Sequence, residues 1–189
     1  MITRTAVKKK KATVKKTVVK PQKTSKKSKK PVVTAKSTHY AGLAVQLRAL
    51  LEGEFDFIAN VANFAALLAT SLPEVNWAGF YFLHGEELIL GPFQGKPACV
   101  RIPLGKGVCG VAAAQCETII VPNVHEFPGH IVCDVASNSE IVVPIFDGEQ
   151  VLGVLDLDSP VLGRFDDQDA EGLNELVTIF VAHEEHLEA

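Results

Sequence analysis

The chain has 189 residues, 47% of them hydrophobic, which suffices for one buried core of about 150 residues; no run of 18 apolar residues is present to cross a bilayer. The formal charge of -3 hides an asymmetry, because residues 1–36 hold Arg4 and thirteen lysines without one acid, leaving residues 37–189 at -17. The start lacks a secretory apolar segment, so a cytoplasmic protein is expected, and clustered cysteines in a reducing compartment point to chemistry rather than structural bridges.

Residues 1–37 form a low-complexity Lys/Thr/Val/Pro tail with too little apolar surface to offset the entropy of ordering, and disorder is expected there. Such a tail makes weak, salt-dependent contacts with polyanions or is simply solvated. Its lysines and prolines fit a mitochondrial presequence poorly, since that would favour Arg on an amphipathic helix.

Residues 38–189 carry the domain. Leu43, Leu47, Leu50 and Leu51, then Phe57, Val61, Phe64, Leu67 and Leu68, repeat at helical spacing and predict two helices ending before Pro73. From Asn76 the period becomes two. In "WAGFYFL" Trp77, Gly79, Tyr81 and Leu83 share one face, Ala78, Phe80 and Phe82 the other; "HGEE" then turns the chain into "LILGPFQG". A third strand, "CVRIPL", is expected to point Val100, Ile102 and Leu104 inward and Cys99 and Arg101 to a polar face. "GKGVCGVAAAQC" reads as a short helix between glycines, "TIIVPNV" as a strand, and "HEFPGHIVCDVASNS" as a loop without period. "EIVVPIF" and "VLGVLDLDS" form a hairpin through Asp147-Gly148. The last element is a helix from Phe165 with Leu173, Leu176, Val177 and Phe180 as its buried stripe.

Two helices, about six mainly antiparallel strands and a closing helix make an α+β domain, with helices packed on one face of a central sheet and a ligand pocket under loops on the other.

All four cysteines, Cys99, Cys109, Cys116 and Cys133, fall within residues 98–134. Their spacings of ten, seven and seventeen positions contain no close pair of the kind that structural zinc sites use, and His125, His130 and Cys133 are at most an irregular metal cluster. Cys116, at the end of an Ala-rich helix, fits a small buried hydrophobe. Cys109 stands near a helix start, which favours the thiolate and lowers a thiol pKa, and Cys133 lies on a polar loop before Asp134. In "VLDLDS" Asp156 and Asp158 alternate with Leu155 and Leu157 and so share one face about 7 Å apart. Like charges so placed call for a cation, and Glu140 on the adjacent strand can join them; the alternative is an edge strand with its acids in water. Trp77 and Tyr81 line the same cavity or belong to the core.

The segments "NWAGFYFL", "GPFQGKPACVRIPLGKGVCGVAA", "IIVPNVHEFPGHIVCDVASNSEIVVPI" and "GVLDLDSP" resemble the GAF-domain free methionine-(R)-sulfoxide reductases over about residues 40–187. The NKFDE motif of cyclic-nucleotide-binding GAF domains is absent, and the lysine tail and Cys116 depart from the pattern. The resemblance implies a GAF-like fold, free L-methionine (R)-S-oxide as substrate, thioredoxin as reductant, a homodimer, and neither a cofactor nor a resident metal. It implies Cys133 as nucleophile, Cys99 and Cys109 as resolving or relay thiols, Glu140, Asp156 and Asp158 as substrate-binding acids, and Trp77 and Tyr81 as an aromatic wall. Other readings are a non-catalytic GAF sensor responding to a ligand or to oxidation, and an interaction module acting through the tail.

Overall fold

The computed structural model describes residues 34–131 and 133–187, so the expectations for the lysine-rich segment up to Val33 lie outside the described residues. Helix α1 (Ala35–Leu51) takes in Ala35, Lys36 and Ser37, the end of the segment assigned to the tail. Thr34 caps it: its Oγ1 accepts from the Ser37 amide at 3.0 Å, and its own amide donates to Ser37 Oγ at 2.8 Å. These reciprocal bonds satisfy backbone donors that a helix start leaves open. Helix α2 (Phe57–Ser71) is capped by Asp56, whose carboxylate accepts from the Ala59 amide.

The sheet contains β1 (Trp77–His84), β2 (Glu87–Gln94), β3 (Arg101–Pro103), β4 (Ile119–Val121), β5 (Ser139–Asp147) and β6 (Gln150–Ser159). Its order is β3-β2-β1-β6-β5-β4, with every neighbouring pair antiparallel. A short helix α3 (Gly107–Gln115) follows β3, and α4 (Asp167–Leu187) closes the chain. The β5–β6 hairpin turns through Gly148 at φ 57°, a left-handed conformation that glycine adopts without steric cost.

The alternation read from the sequence sorts side chains onto two cores. On one face Phe80, Leu155 and Leu157 pack with Leu43, Leu47, Phe64, Leu68, Leu173 and Phe180 of α1, α2 and α4. On the other, Trp77, Tyr81, Val142 and Val154 pack with Val108, Cys109, Ala112 and Ala113 of α3. The second face is thus roofed by α3 as well as by loops. Three expectations fail locally. Leu50 is exposed rather than part of the α1 stripe. Strand β3 begins only at Arg101, so Val100 is 62% exposed and Cys99 lies on the connection before the strand, not on its polar face. Three paired residues are too few to impose a two-residue alternation on what precedes them. Cys116 is exposed, because α3 ends one residue earlier and Cys116 takes the left-handed C-cap position at φ 60°, turned off the helix face that buries Ala112 and Ala113.

Candidate active site

Strand β6 sits between β1 and β5, so its acids are central, not at an edge. With Leu155 and Leu157 in the helical core, Asp156 and Asp158 necessarily face the opposite side. Register then builds the site. Asp158 pairs with Trp77 on β1 and Glu140 on β5, which puts those three in one row across three strands; Asp156 pairs with Gly79 and Val142 one step along the same face. A side chain at residue 79 would collide with the Trp77 indole and Phe93, so glycine lets Trp77 lie over the sheet beside Asp156. The indole stacks on Phe93 and Tyr81, with ring centroids 5.3 and 5.9 Å away.

Both aromatic residues also hold a loop, a role their spacing did not announce. Trp77 Nε1 donates to the Lys96 carbonyl at 3.1 Å, and the Tyr81 hydroxyl donates to the Cys99 carbonyl at 3.0 Å. The facing loop, which carries Cys133, is set by Asp134: its carboxylate accepts from the Ala136 amide and pairs with Lys96 Nζ at 3.1 Å, so one ion pair ties the two loops. Asn76 Nδ2 donates to Ser137 Oγ at 3.2 Å and secures the far end. Between these loops Cys99 and Cys133, 34 positions apart, form a disulfide with Cα atoms 5.6 Å apart. The sequence left open which thiol meets Cys133; the structure selects Cys99.

Cys109 does not carry the lowered pKa expected from its helix-start position. It is buried on α3 with Sγ 3.9 Å from Glu140 Oε1. Desolvation, followed by the charges of Asp156 and Glu140, pushes the thiol well above its ordinary range. The partial charge of a helix start is small beside burial against carboxylates. The histidine cluster does not assemble either. His125 Nε2 lies 2.9 Å from Asn138 Oδ1, His130 Nε2 lies 3.8 Å from Glu140 Oε2, and Cys133 is bonded to Cys99.

These groups meet at one cleft that opens to solvent. Trp77, Tyr81, Cys109, His130, Cys133, Glu140, Asp156 and Asp158 all border it. Burial raises the pKa of Glu140 well above the carboxylate range, helped by Asp156 and Asp158. Burial likewise raises Asp156, with Asp158 adding to it. Asp158 is pushed up to about 7 by desolvation, against a lowering hydrogen bond from Ser137. A buried acid row of this kind retains protons near neutrality, and a cation bound among the acids favours their ionised forms. Lys96, Asp134 and Ser137 escaped the sequence reading, because each acts through a partner distant in sequence, and His130 entered it only as a metal-ligand candidate beside His125 and Cys133.

One prediction follows from the raised acids. A carboxyl whose pKa is higher folded than unfolded stabilises the fold fully below its unfolded value, and that stability disappears as pH rises through the folded value. For Asp158 the window runs from 3.8 to about 7. Denaturant melts of the ligand-free protein should therefore weaken across that range, and Asp158→Asn should reduce the slope and gain on the order of 3 kcal/mol over wild type at pH 8. A steeper decline in the variant would contradict the burial of this acid.

A GAF domain matches residues 56–184. The free methionine-R-sulfoxide reductase of Escherichia coli is 54% identical over 142 residues, which cover 75% of this chain and 86% of that protein. The structure of fRMsr of Staphylococcus aureus in complex with substrate is 51% identical with a TM-score of 0.73, covering 77% of this chain and 95% of that one. The substrate complex of free methionine-R-sulfoxide reductase from Neisseria meningitidis is 42% identical with a TM-score of 0.78, covering 83% and 95%. A six-stranded GAF sheet with a thiol pair above a row of buried acids, joined to identities of this size over most of both chains, places the protein in the GAF-domain free methionine-R-sulfoxide reductase family.

Proposed function

We propose that the protein reduces free L-methionine (R)-S-oxide to methionine, with Cys133 as nucleophile, Cys99 as resolving thiol and thioredoxin as the final reductant. The observation that carries this reading is the Cys99–Cys133 disulfide, whose Cys133 borders the same cleft as Glu140, Asp156 and Asp158. A free amino acid brings an ammonium group that ionised acids hold, whereas a methionine inside a polypeptide offers a neutral amide there. Trp77 and Tyr81 supply an apolar wall for the methyl and methylene groups, since aromatic faces pack well against carbons next to sulfur.

In the reduced enzyme, a protonated Glu140 donates a hydrogen bond to the sulfoxide oxygen and makes its sulfur electrophilic. The Cys133 thiolate attacks, the substrate's S–O bond breaks, an S–O bond is left on Cys133, and methionine departs. Substrate sulfur gains the two electrons that Cys133 loses. The Cys99 thiol then condenses with the Cys133 sulfenic acid, forming the S–S bond and expelling the oxygen as water. Thioredoxin, a dithiol, reopens the disulfide by exchange and takes over its oxidised state. Cys109, buried and protonated, forms part of the wall beside Glu140 rather than a second nucleophile.

Among the described residues no helix is long and apolar enough to cross a membrane, in keeping with a cytoplasmic site of action. A homodimer and weak polyanion contacts by the lysine-rich segment belong to the same proposal. The test is a thioredoxin-coupled assay on free methionine sulfoxide. Continued turnover with preference for the R epimer is expected; methionine release that stops at one equivalent per protein would instead favour a redox sensor. Removal of residues 1–33, which leaves the Thr34 cap and α1 intact, should leave turnover unchanged, and its loss would favour an interaction module.

A further inference from the structure

The disulfide engages Cys133 and leaves Cys109, the other cysteine bordering the cleft, without a covalent partner. Its sulfur, one oxygen of Glu140 and one of Asp156 all lie within 4.8 Å of one another, and all three residues are buried. They come from α3, β5 and β6, and His130 comes from a fourth direction, with Nε2 3.8 Å from the second oxygen of Glu140. Asp156 is 6% exposed, borders the cleft, and its Oδ1 has no hydrogen-bond partner. A buried carboxylate oxygen without a donor is costly, and the space it faces is best filled by a positive group.

We propose that Cys109, Glu140 and Asp156 form a binding site for a borderline divalent transition ion, of which Zn²⁺ is the best match, occupying the end of the cleft that the acids line. One thiolate and two carboxylates, with water in the fourth position, are a donor set that zinc accepts in tetrahedral coordination, while Mg²⁺ and Ca²⁺ prefer oxygen donors and water. Zn–S and Zn–O bonds of ordinary length separate sulfur from oxygen by roughly 3.5 Å. The Cys109–Glu140 distance of 3.9 Å is close to that value before any adjustment. Binding replaces the Cys109 proton and any carboxyl proton in the set, and these leave to solvent. Three positions are taken by protein and the fourth is left to water. The ion closes the acid-lined end to an ammonium group. That last consequence rests on the proposed function; the site itself does not.

The test uses the disulfide-bonded full-length protein carrying Cys116→Ser, so that Cys109 is its one free thiol, and Co²⁺ as the probe. One equivalent of Co²⁺ should produce a thiolate-to-metal charge-transfer band in the near ultraviolet, which Zn²⁺ abolishes and excess Mg²⁺ does not. Cys109→Ser should remove the band, and Asp156→Asn, which keeps the side-chain shape, should weaken Co²⁺ binding at least tenfold. Far-ultraviolet circular dichroism checks that each variant is folded, and if Cys109→Ser does not fold, the Asp156→Asn titration decides. A band absent from the parent protein, or undiminished by both substitutions, overturns the site. The titration needs no substrate, so failure of the metal-free enzyme to reduce methionine sulfoxide would overturn the functional reading alone. In the reduced enzyme, Zn²⁺ should raise KM for the sulfoxide at least tenfold with little change in kcat.

Discussion

Replacing Cys133 by Ser is expected to abolish methionine formation, with kcat falling by several orders of magnitude, while substrate still binds. The hydroxyl of serine neither ionises near neutrality nor accepts the oxygen as sulfur does, so the step that transfers two electrons has no route. The acid row below the loop is untouched, and retained affinity should be visible by calorimetry. Cys99→Ser should behave differently. It leaves the nucleophile in place and removes the thiol that the disulfide identifies as its partner. One equivalent of methionine should then appear rapidly and the thioredoxin-driven cycle should stop, with a sulfenic acid on Cys133 that a dimedone probe captures. Cys116→Ser, at an exposed C-cap, should leave kcat unchanged. The idea would sink if Cys99→Ser kept the full thioredoxin-driven rate, or if Cys133→Ser still produced methionine.

Much of this arrangement is legible in the sequence because strand alternation is a strict geometric rule. Once Leu155 and Leu157 are committed to the helical core, Asp156 and Asp158 have only the other face to occupy, and the same argument separates Phe80 from Trp77 and Tyr81. Helical spacing in α1, α2 and α4 is equally plain, since each presents one apolar stripe to that core. What escapes is set by contacts between segments far apart in the chain. The pairing of Cys99 with Cys133 depends on two connections meeting above the sheet. The ion pair of Lys96 and Asp134 that helps hold them spans 38 positions and leaves no periodic trace. Cys109 misleads for a related reason: its place near a helix start is local information, whereas the burial and carboxylates that raise its pKa arrive from β5 and β6. Cys116 fails because one residue past a helix end suffices to turn a side chain from core to solvent.

The second large effect is expected at Glu140. It is 5% exposed, shares its row with Asp158, and stands next to Asp156, so desolvation and two neighbouring acids keep it protonated at a pH where an ordinary glutamate is ionised. A group so poised has a proton to give as charge develops on the sulfoxide oxygen. Glutamine preserves the shape and still offers an N–H, but it cannot release a proton. Glu140→Gln should therefore lower kcat by roughly 10²–10⁴-fold, the usual worth of general acid catalysis, with KM changed far less. Asp158→Asn should do the reverse, raising KM by removing a charge that holds the ammonium while sparing the chemical step. The pH profile separates these roles from a merely structural one. In wild type, kcat falls on the alkaline side as the row loses its proton; in Glu140→Gln that limb should flatten, because the variant has no proton there to lose. A Glu140→Gln enzyme with native kcat and an unaltered alkaline limb would remove Glu140 from the chemistry and leave substrate protonation to another group in the cleft.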